Sequence, residues 1–215
     1  MALYVRQLKL GPMENFVYLV GAAGARETAI VDAAWDVAAA VRAAEEDGRV
    51  LTHALVSHHH FDHVNGLPEV LAQGGIRVVA HALDIPKLAP ELQREVTAVS
   101  AGDAVEVGPL RITAMHTPGH TPGSTCWHAA DSLFAGDTVF VNACGRCDLA
   151  GGDPEQMFQS LQRVSRLPDD IKLYPGHDYG DVPVSSIARE KERNPYFQKL
   201  ASLTDFVAWR MRPRT

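Results

Sequence analysis

The sequence predicts an α/β fold in which two β-sheets pack together and helices cover the outside. Both halves of the chain contain short runs of apolar, β-branched and aromatic residues that end at glycine-containing turns, and both then change to helical spacing. Strand-rich halves that are each followed by helices are typical of a layered sandwich. The 215 residues, 46% of them hydrophobic, can bury one sizeable core, and no Ser/Gly/Pro-rich linker divides them. We therefore expect one domain over residues 1–215.

The elements follow in order along the chain. In the first half, strands are predicted at LYVRQL, NFVYLV, ETAIVDAA, Ala54–Ser57 and IRVVA, and helices from Trp35 to Asp47 and from an Asn65 cap to about Gln73. In the second half, strands are predicted at DAVEV, LRITAMH, STCWHA, DSLFAG and IKLYP, with a helix from about Pro154 to Arg166 and one or two C-terminal helices. The region from about Ala82 to Ala101 is expected to be irregular and to contain the substrate pocket.

Composition excludes several classes of partner. The formal charge is −6 and the lysines and arginines are scattered, which argues against nucleic acid. The apolar runs are too short to span a bilayer, so no membrane partner is expected. The N-terminus lacks the pattern of a secretory signal, and 3 cysteines do not suggest a disulfide framework. A cytoplasmic protein acting on a small molecule is expected, and a homodimer is compatible with the sequence.

The segment SHHHFDHVNG concentrates ionisable side chains, with 4 of the 10 histidines and an aspartate in six consecutive positions. Alternate residues of an extended chain face the same side, so His58, His60 and Asp62 are expected to point together at the end of a strand. His63 lies where the chain turns into the next helix, and that turn can aim it inward as well. His59 has the opposite parity and is expected to point away. This pattern predicts a metal site.

Two or three ligands do not complete such a site, and further candidates stand in glycine-containing turns. These are His120 in TPGHTPGS, Asp137 in FAGDTVF and His177 in YPGHDYG. Glycines allow the tight bends that expose a side chain at a loop tip. Seven candidates exceed the needs of one ion, so two divalent metal ions sharing one carboxylate are expected. Imidazole and carboxylate ligands suit zinc, iron and manganese, with zinc as the default. The remaining histidines, His53, His116 and His128, are expected to be ordinary surface or core residues.

These motifs resemble those of the metallo-β-lactamase superfamily. SHHHFDHVNG matches its HxHxDH signature, and TPGHTPGS, Ala135–Asp137 and Pro175–His177 occur in the family's order from about Asn15 to Tyr179. The resemblance implies a four-layer αβ/βα sandwich with the site in the cleft between the sheets. It also implies the metal ligands: His58, His60 and His120 for one ion, Asp62, His63 and His177 for the other, and Asp137 as a bridge. Asp62 would also accept a proton, and Asp32 in VDAA would support the site by hydrogen bonding.

Two branches of the superfamily share this ligand set. Glyoxalase II-like thioester hydrolases also share the CGR of Cys144–Arg146, whereas ACGRCDLAGGDP, YPGHDYG and SIAREKERNP resemble persulfide dioxygenases. Those dioxygenases use one iron, held by the equivalents of His58, His120 and Asp137, and typically have cysteine where this chain has Ser124. Full-length glyoxalase II-like enzymes carry a glutathione-binding helical domain that is longer than the tail over Ser185–Thr215.

The resemblance therefore implies a hydrolase in which a hydroxide between two metal ions cleaves a small thioester or ester, possibly linked to glutathione. The alternative is a mononuclear iron persulfide dioxygenase that oxidises glutathione persulfide, and a noncatalytic metal-binding module is the third reading.

Three residues and a cysteine pair around the expected site are further candidates. Arg146 is the candidate to anchor an anionic substrate group, although most arginines are simply solvated. Tyr179 and His81 stand at strand ends that should face the cleft. Tyr179 is a candidate substrate contact and His81 a candidate support for the metal ligands, and simple packing is the alternative for each. Cys144 and Cys147 form a CxxC that is expected to be incidental, with a redox switch of depressed thiol pKa as the alternative.

Overall fold

The computed structural model describes residues 2–212 and contains two six-stranded sheets. The strands of the first sheet are adjacent in chain order: β1 (Leu3–Leu10), β2 (Asn15–Ala22), β3 (Glu27–Val31), β4 (Val50–Leu55), β5 (Arg77–His81) and β6 (Val96–Val99). Its first three strands pair antiparallel, and the pairs from β3 to β6 are parallel. Parallel neighbours require crossover connections, which the intervening helices supply.

The second sheet has the order β14-β13-β10-β9-β8-β7. Its strands are β7 (Ala104–Val107), β8 (Leu110–His116), β9 (Thr125–Ala129), β10 (Ser132–Gly136), β13 (Lys172–Pro175) and β14 (Ser185–Ser186). All neighbours are antiparallel except β10 and β13, which are parallel. A two-stranded ribbon of β11 (Val139–Phe140) and β12 (Ala143–Cys144) follows β10 directly.

Residues 2–212 also contain seven α-helices and two 3₁₀ turns, of which α6, α7 and one turn follow the last strand. They are α1 (Val37–Glu46), α2 (Phe61–Val64), α3 (Leu67–Ala72), α4 (Pro90–Gln93), α5 (Pro154–Ser165), α6 (Ile187–Arg193), α7 (Leu203–Arg210), and the turns Ile85–Lys87 and Phe197–Lys199. Asp36 and Asp153 cap α1 and α5 by accepting backbone N–H bonds, which satisfies donors that a helix start leaves unpaired. No helix in the described range has the length and apolar character needed to cross a membrane.

Three buried clusters define four layers. Alternation along β2 sends Val17 and Leu19 outward to the cluster that α1 and α3 cover, and sends Tyr18 and Val20 inward to the second sheet. The inner cluster, which includes Trp127 of β9, lies between the two sheets. The third cluster joins the far face of the second sheet to the helices α5 and α7. The expected αβ/βα sandwich is confirmed.

Two local expectations differ in detail from the structure. The helix expected from an Asn65 cap to about Gln73 is present as α3, but Gly66 stands at its N-cap, because Asn65 ends the additional short helix α2. The Asn65 side chain instead accepts a hydrogen bond from the Trp35 amide at 2.7 Å. The region expected to be irregular contains β6, a short edge strand that pairs with β5.

Candidate metal centre

The histidine segment is extended only as far as His60. Helix α2 begins at the next residue, so the chain turns before it reaches Asp62. The expected alternation of His58, His60 and Asp62 on one side is therefore wrong for Asp62. The helical turn carries that carboxylate towards His63 and His177 instead. His59 points away as expected, with its Nδ1 3.0 Å from the buried carboxylate of Asp84.

One group of potential ligands consists of His58, His60 and His120, whose nearest ring nitrogens all lie within 4.8 Å of one another. The Nε2 of His58 is 3.1 Å from the Nδ1 of His60. His120 donates from Nδ1 to the carbonyl of Arg146 at 2.8 Å, which directs its Nε2 into the cluster. Three imidazole nitrogens that face one point can coordinate one cation.

A second group consists of Asp62, His63 and His177, again within 4.8 Å of one another. The Nε2 atoms of His63 and His177 are 3.1 Å apart, and Asp62 Oδ2 lies 3.3 Å from the Nε2 of His177. His177 donates from Nδ1 to the carbonyl of Met13 at 2.8 Å, so its Nε2 faces the other two ligand candidates. This group offers two nitrogens and a carboxylate to a cation.

Asp137 lies between the two groups. Its Oδ1 is 3.3 Å from His63 Nε2 and 3.4 Å from His177 Nε2, and its Oδ2 is 3.4 Å from His120 Nε2. A Cβ added to Gly176 would come within 2.5 Å of Asp137 Oδ1, so a glycine there leaves room for the carboxylate. One carboxylate thus presents an oxygen to each group.

The chemistry of these donors fits metal ions. His120 Nε2 and Asp137 Oδ1 are buried atoms that form no hydrogen bond within the described residues. Buried polar atoms without a protein partner are costly and rare, and metal coordination is one of the ordinary reasons for them. Imidazole nitrogens and carboxylate oxygens are ligands of zinc, iron and manganese.

Asp32 supports both groups from behind. Its Oδ2 is 2.9 Å from His63 Nδ1 and accepts the Ser57 hydroxyl at 2.7 Å, and its Oδ1 accepts the Ser57 amide at 2.7 Å. The Ser57 oxygen is in turn 3.0 Å from His58 Nδ1. Partners of this kind fix the orientation of a ligating imidazole and raise its basicity. The contacts agree with the role expected for Asp32.

The electrostatics of the two groups differ. Burial lowers the pKa of all three histidines in the first group: that of His58 well below its usual value, that of His60 to about 4, and that of His120 as well. These rings are therefore neutral at pH 7. Burial alone would also lower the pKa of His63, but the carboxylates of Asp137 and Asp32 outweigh it and raise that pKa well above its usual value. Protons therefore compete with a cation for His63 more strongly than for the rings of the other group.

Two supporting residues have no signal in the spacing of the histidines. Asn15, the first residue of β2, is buried and donates from Nδ2 to Asp62 Oδ2 at 3.0 Å, while its Oδ1 accepts the indole N–H of Trp35 at 2.7 Å. Asp84 accepts from the His59 amide, the Thr121 hydroxyl and the Gly123 amide, at 2.6 to 2.9 Å. For Asn15, the sequence offers one hint, which is a polar residue at the start of an otherwise apolar strand.

The cluster opens into a cavity of about 640 Å³. Its lining residues come from the loops after β1, β4, β8, β10, β12 and β13, from the ribbon of β11 and β12, and from the C-terminal segment: Met13, His60, Phe61, Asp62, His120, Asp137, Phe140, Ala143, Cys144, Arg146, Leu149, His177, Tyr179 and Tyr196. None of them belongs to residues 82–101. That region packs as β6 and short helices at the edge of the first sheet, and its residues Lys87, Leu88, Ala89 and Leu92 line a separate cavity of about 290 Å³ together with Phe61. The cavity at the ligand candidates is therefore not the pocket expected in residues 82–101.

The three other site candidates, Tyr179, Arg146 and His81, have different surroundings. Tyr179 lines the cavity, and its ring stacks on His177 with 4.6 Å between ring centroids. Arg146 also lines it, but the guanidinium binds Asp148 through two contacts of 3.0 and 2.8 Å. His81 stacks on His116, with centroids 3.9 Å apart, and accepts from the Leu83 amide. Among the contacts found within residues 2–212, none links His81 to the seven ligand candidates, so the expected support role is not seen.

The cysteine pair is buried. Cys144 and Cys147 are 4% and 3% exposed, and burial raises the pKa of the Cys147 thiol to about 11. A redox switch would require an accessible thiol of depressed pKa. Burial and the raised pKa of Cys147 do not favour that alternative, and the incidental interpretation of the CxxC stays the prediction.

The comparison with protein families decides the wider relationship. The sequence profile described as the metallo-beta-lactamase superfamily matches residues 10–177, which contain all seven ligand candidates. This chain belongs to the metallo-β-lactamase superfamily. Membership of this superfamily of metal-dependent hydrolases accords with the four layers and with a cluster of histidines and aspartates at the cleft.

Individual relatives within the superfamily are moderately similar. The probable polyketide biosynthesis zinc-dependent hydrolase BaeB of Bacillus velezensis is 33% identical over 92% of this chain and 88% of its own length. A hydroxyacylglutathione hydrolase of Methylobacterium nodulans is 45% identical over 67% of this chain, but the match spans only 55% of that relative. The crystal structure of ETHE1 from Myxococcus xanthus superposes with a TM-score of 0.85 at 32% identity, over 98% of this chain and 92% of the other.

Proposed function

We propose that this protein is a dinuclear metal-dependent hydrolase that cleaves a small thioester or ester. The observation that carries the proposal is the position of Asp137, whose two carboxylate oxygens face two separate groups of ligand candidates. The names of two relatives, a zinc-dependent hydrolase and a hydroxyacylglutathione hydrolase, support the reaction class.

In this proposal the ligands divide as two of the three-residue groups do. His58, His60 and His120 hold one ion, Asp62, His63 and His177 hold the other, and Asp137 bridges them. A third group within 4.8 Å, His58, His63 and Asp137, joins the two and supports the position of the bridge between them. Zinc is the metal we favour, since it suits mixed imidazole and carboxylate ligands, and iron and manganese suit them as well. Asp32 holds the His63 ring in place and, through Ser57, the His58 ring.

The chemistry needs a strong nucleophile and a polarised carbonyl. When bound, the two ions supply both, by lowering the pKa of a water to near neutral and by acting as Lewis acids. Asp62 lies on the cavity wall and receives the proton of the attacking water. Hydrolysis then breaks the bond from the carbonyl carbon to sulfur or oxygen. The proton held at Asp62 passes to the departing thiolate or alkoxide, so that water and thioester give acid and thiol.

The experiment that tests the proposal joins metal content to turnover. Untagged protein from metal-replete medium is analysed for metal per chain and assayed with acetyl and lactoyl thioesters. About two ions per chain and metal-dependent thiol release are the expected results. One iron per chain, with oxygen uptake in the presence of glutathione persulfide and no thioester hydrolysis, would instead support the dioxygenase. Metal-loaded protein without turnover in either assay would support a noncatalytic binding module.

A further inference from the structure

Large apolar side chains are exposed around the mouth of the catalytic cavity. Within residues 2–212, seven large hydrophobic side chains are exposed, and three of them line this one cavity: Met13 at 45%, Phe61 at 71% and Tyr179 at 55%. We name these three residues the apolar rim. Exposed apolar side chains that cluster at one concave site mark a binding surface, whereas single exposed apolar residues scattered over a protein are ordinary.

The apolar rim is anchored to the proposed metal centre. Tyr179 stacks on the ring of His177 and donates its hydroxyl to the Met13 carbonyl at 3.3 Å. Phe61 follows His60 directly and rests edge-on against Trp35, with 6.1 Å between ring centroids. A group bound on the rim would therefore lie directly beside the reacting carbonyl. Rings held in place in this way also lose little conformational freedom when a ligand binds.

The same cavity offers little to a charged thiol carrier. Arg146 is the one lysine or arginine on its wall in the described part of the chain, and its charge is offset by Asp148 at 2.8 Å. A carrier with free carboxylates, such as glutathione, binds more tightly where cationic side chains have no other partner. Here the carboxylates would instead approach the acidic side chain of Asp148. The wall includes further apolar groups at Phe140 and Leu149, so its chemistry favours an uncharged, apolar ligand.

We propose that the substrate carries an aliphatic or aromatic acyl chain that packs on the apolar rim, joined to a thiol without charge near the sulfur. This inference rests on the proposed thioester hydrolase function and names its substrate class. Short hydroxyacyl groups on glutathione are then poor substrates.

The test is a series of acyl-N-acetylcysteamine thioesters from acetyl to octanoyl, with metal-loaded protein. The value of kcat/KM should rise about three- to fourfold for each added methylene that reaches the rim. Phe61→Ala should lower the octanoyl-to-acetyl ratio of kcat/KM by about tenfold, because it removes most of one aromatic wall. Leu83→Ala is the matched control, since Leu83 is 52% exposed but does not line the cavity. Its ratio should equal that of the wild type.

A second variant tests the charge argument. Asp148→Asn removes the partner of Arg146, so kcat/KM for a glutathione thioester should rise several-fold while values for the uncharged series stay constant. Asp148 is 45% exposed in its side chain, and an asparagine retains its shape. No gain for the glutathione thioester would overturn this part of the inference.

Calorimetric binding of thioether analogues separates this inference from the proposed function. Tighter binding with chain length, but no hydrolysis of any thioester, would overturn the function and retain the apolar substrate class. Hydrolysis and binding that are independent of chain length, or a preference for the glutathione thioester, would overturn the inference and retain the function. A dimer that Phe61→Ala converts to monomer would assign the rim to a second copy of the chain and also overturn the inference.

Discussion

Asp137 shows how much one buried carboxylate can decide in this molecule. It reaches His63 and His177 through one oxygen and His120 through the other. Burial alone would raise its pKa, but His63 and His177 hold the pKa of this carboxyl well below its usual value, so it remains charged. An anion in this position can neutralise part of the charge of two cations.

Removal of this carboxylate should cost both metal and activity. In Asp137→Ala, we expect the metal content to fall from two ions per chain and kcat/KM to fall by at least about 100-fold, as expected for the loss of a direct ligand. Elemental analysis and thioester assays give the two values. His53→Ala is the control, because the ring of His53 contacts Thr52 outside the cluster. Full metal content and normal turnover in Asp137→Ala would refute the bridge.

Asn15 is expected to act as a positioning residue for Asp62. It bonds both the backbone oxygen and the Oδ2 of Asp62 at 3.0 Å. In Asn15→Ala we expect metal affinity of the Asp62, His63 and His177 group to fall by about 10–100-fold, while the His58, His60 and His120 group keeps its ion. Stepwise competition with a chelator resolves the two ions. Equal weakening of both would indicate general destabilisation and not a positioning role.

Acid should remove the two ions in sequence. The pKa values of His58, His60 and His120 are lowered, that of His60 to about 4, so their nitrogens stay unprotonated as the pH falls through neutrality. The pKa of His63 is raised, so protons compete for its nitrogen at a higher pH. Metal content after dialysis at stepped pH should drop from two ions to one, and only at lower pH to none. Simultaneous loss of both ions would contradict this order.

At the scale of elements, the loop between β8 and β9 depends on Asp84. This carboxylate is buried just before the 3₁₀ turn Ile85–Lys87 and bonds Thr121 and Gly123, which closely follow His120, as well as the His59 amide. It therefore ties the His120 loop to the histidine segment. Burial alone would raise its pKa, but bonds from His59 and Thr121 outweigh that effect and lower it.

Replacement of Asp84 should loosen that tie. In Asp84→Ala, the loss of three hydrogen bonds to a buried charge should destabilise the fold by about 2–4 kcal/mol and weaken the metal site formed by His58, His60 and His120. Chemical denaturation and chelator competition measure the two effects. The depressed pKa places the stabilisation above the unfolded value of about 3.9, and it is lost as the pH falls through the folded value. Unchanged metal affinity would contradict the link.

The elements also show where sequence patterns mislead. Periodicity located the long strands and α1 and α5 because each follows one regular pattern. It missed the short helix α2, which ends at Asn65, and the strand β6, which depends on pairing with β5. The alternation rule grouped Asp62 with His58 because it assumed an extended chain beyond His60, where helix α2 in fact begins.

For the whole molecule, the proposed metal centre should stabilise the fold, since its ligands come from both halves of the chain. His58 to His63 follow the first sheet, and His120, Asp137 and His177 follow strands of the second. That residues 1–215 form one domain stays a prediction, and a single cooperative unfolding transition is its expected signature. Chelation should lower the midpoint temperature, because the ions bind only the folded ligand set.

Differential scanning calorimetry with and without chelator tests both statements. A single peak that shifts downward by several degrees on metal removal is the expected result. Two separate peaks would contradict a single domain. A midpoint unchanged by complete metal removal would contradict coupling between the ions and the fold.

The sequence by itself determined the fold class, the family and the seven ligand candidates, because each depends on local patterns: periodicity, glycine turns and the spacing of histidines. The tertiary structure decided which ligands face each other, with Asp62 beside His177 and Asp137 between the groups. It also decided that Cys147 is buried and that Asn15 supports Asp62. Those features depend on contacts between residues far apart in the chain, and no local pattern encodes such contacts.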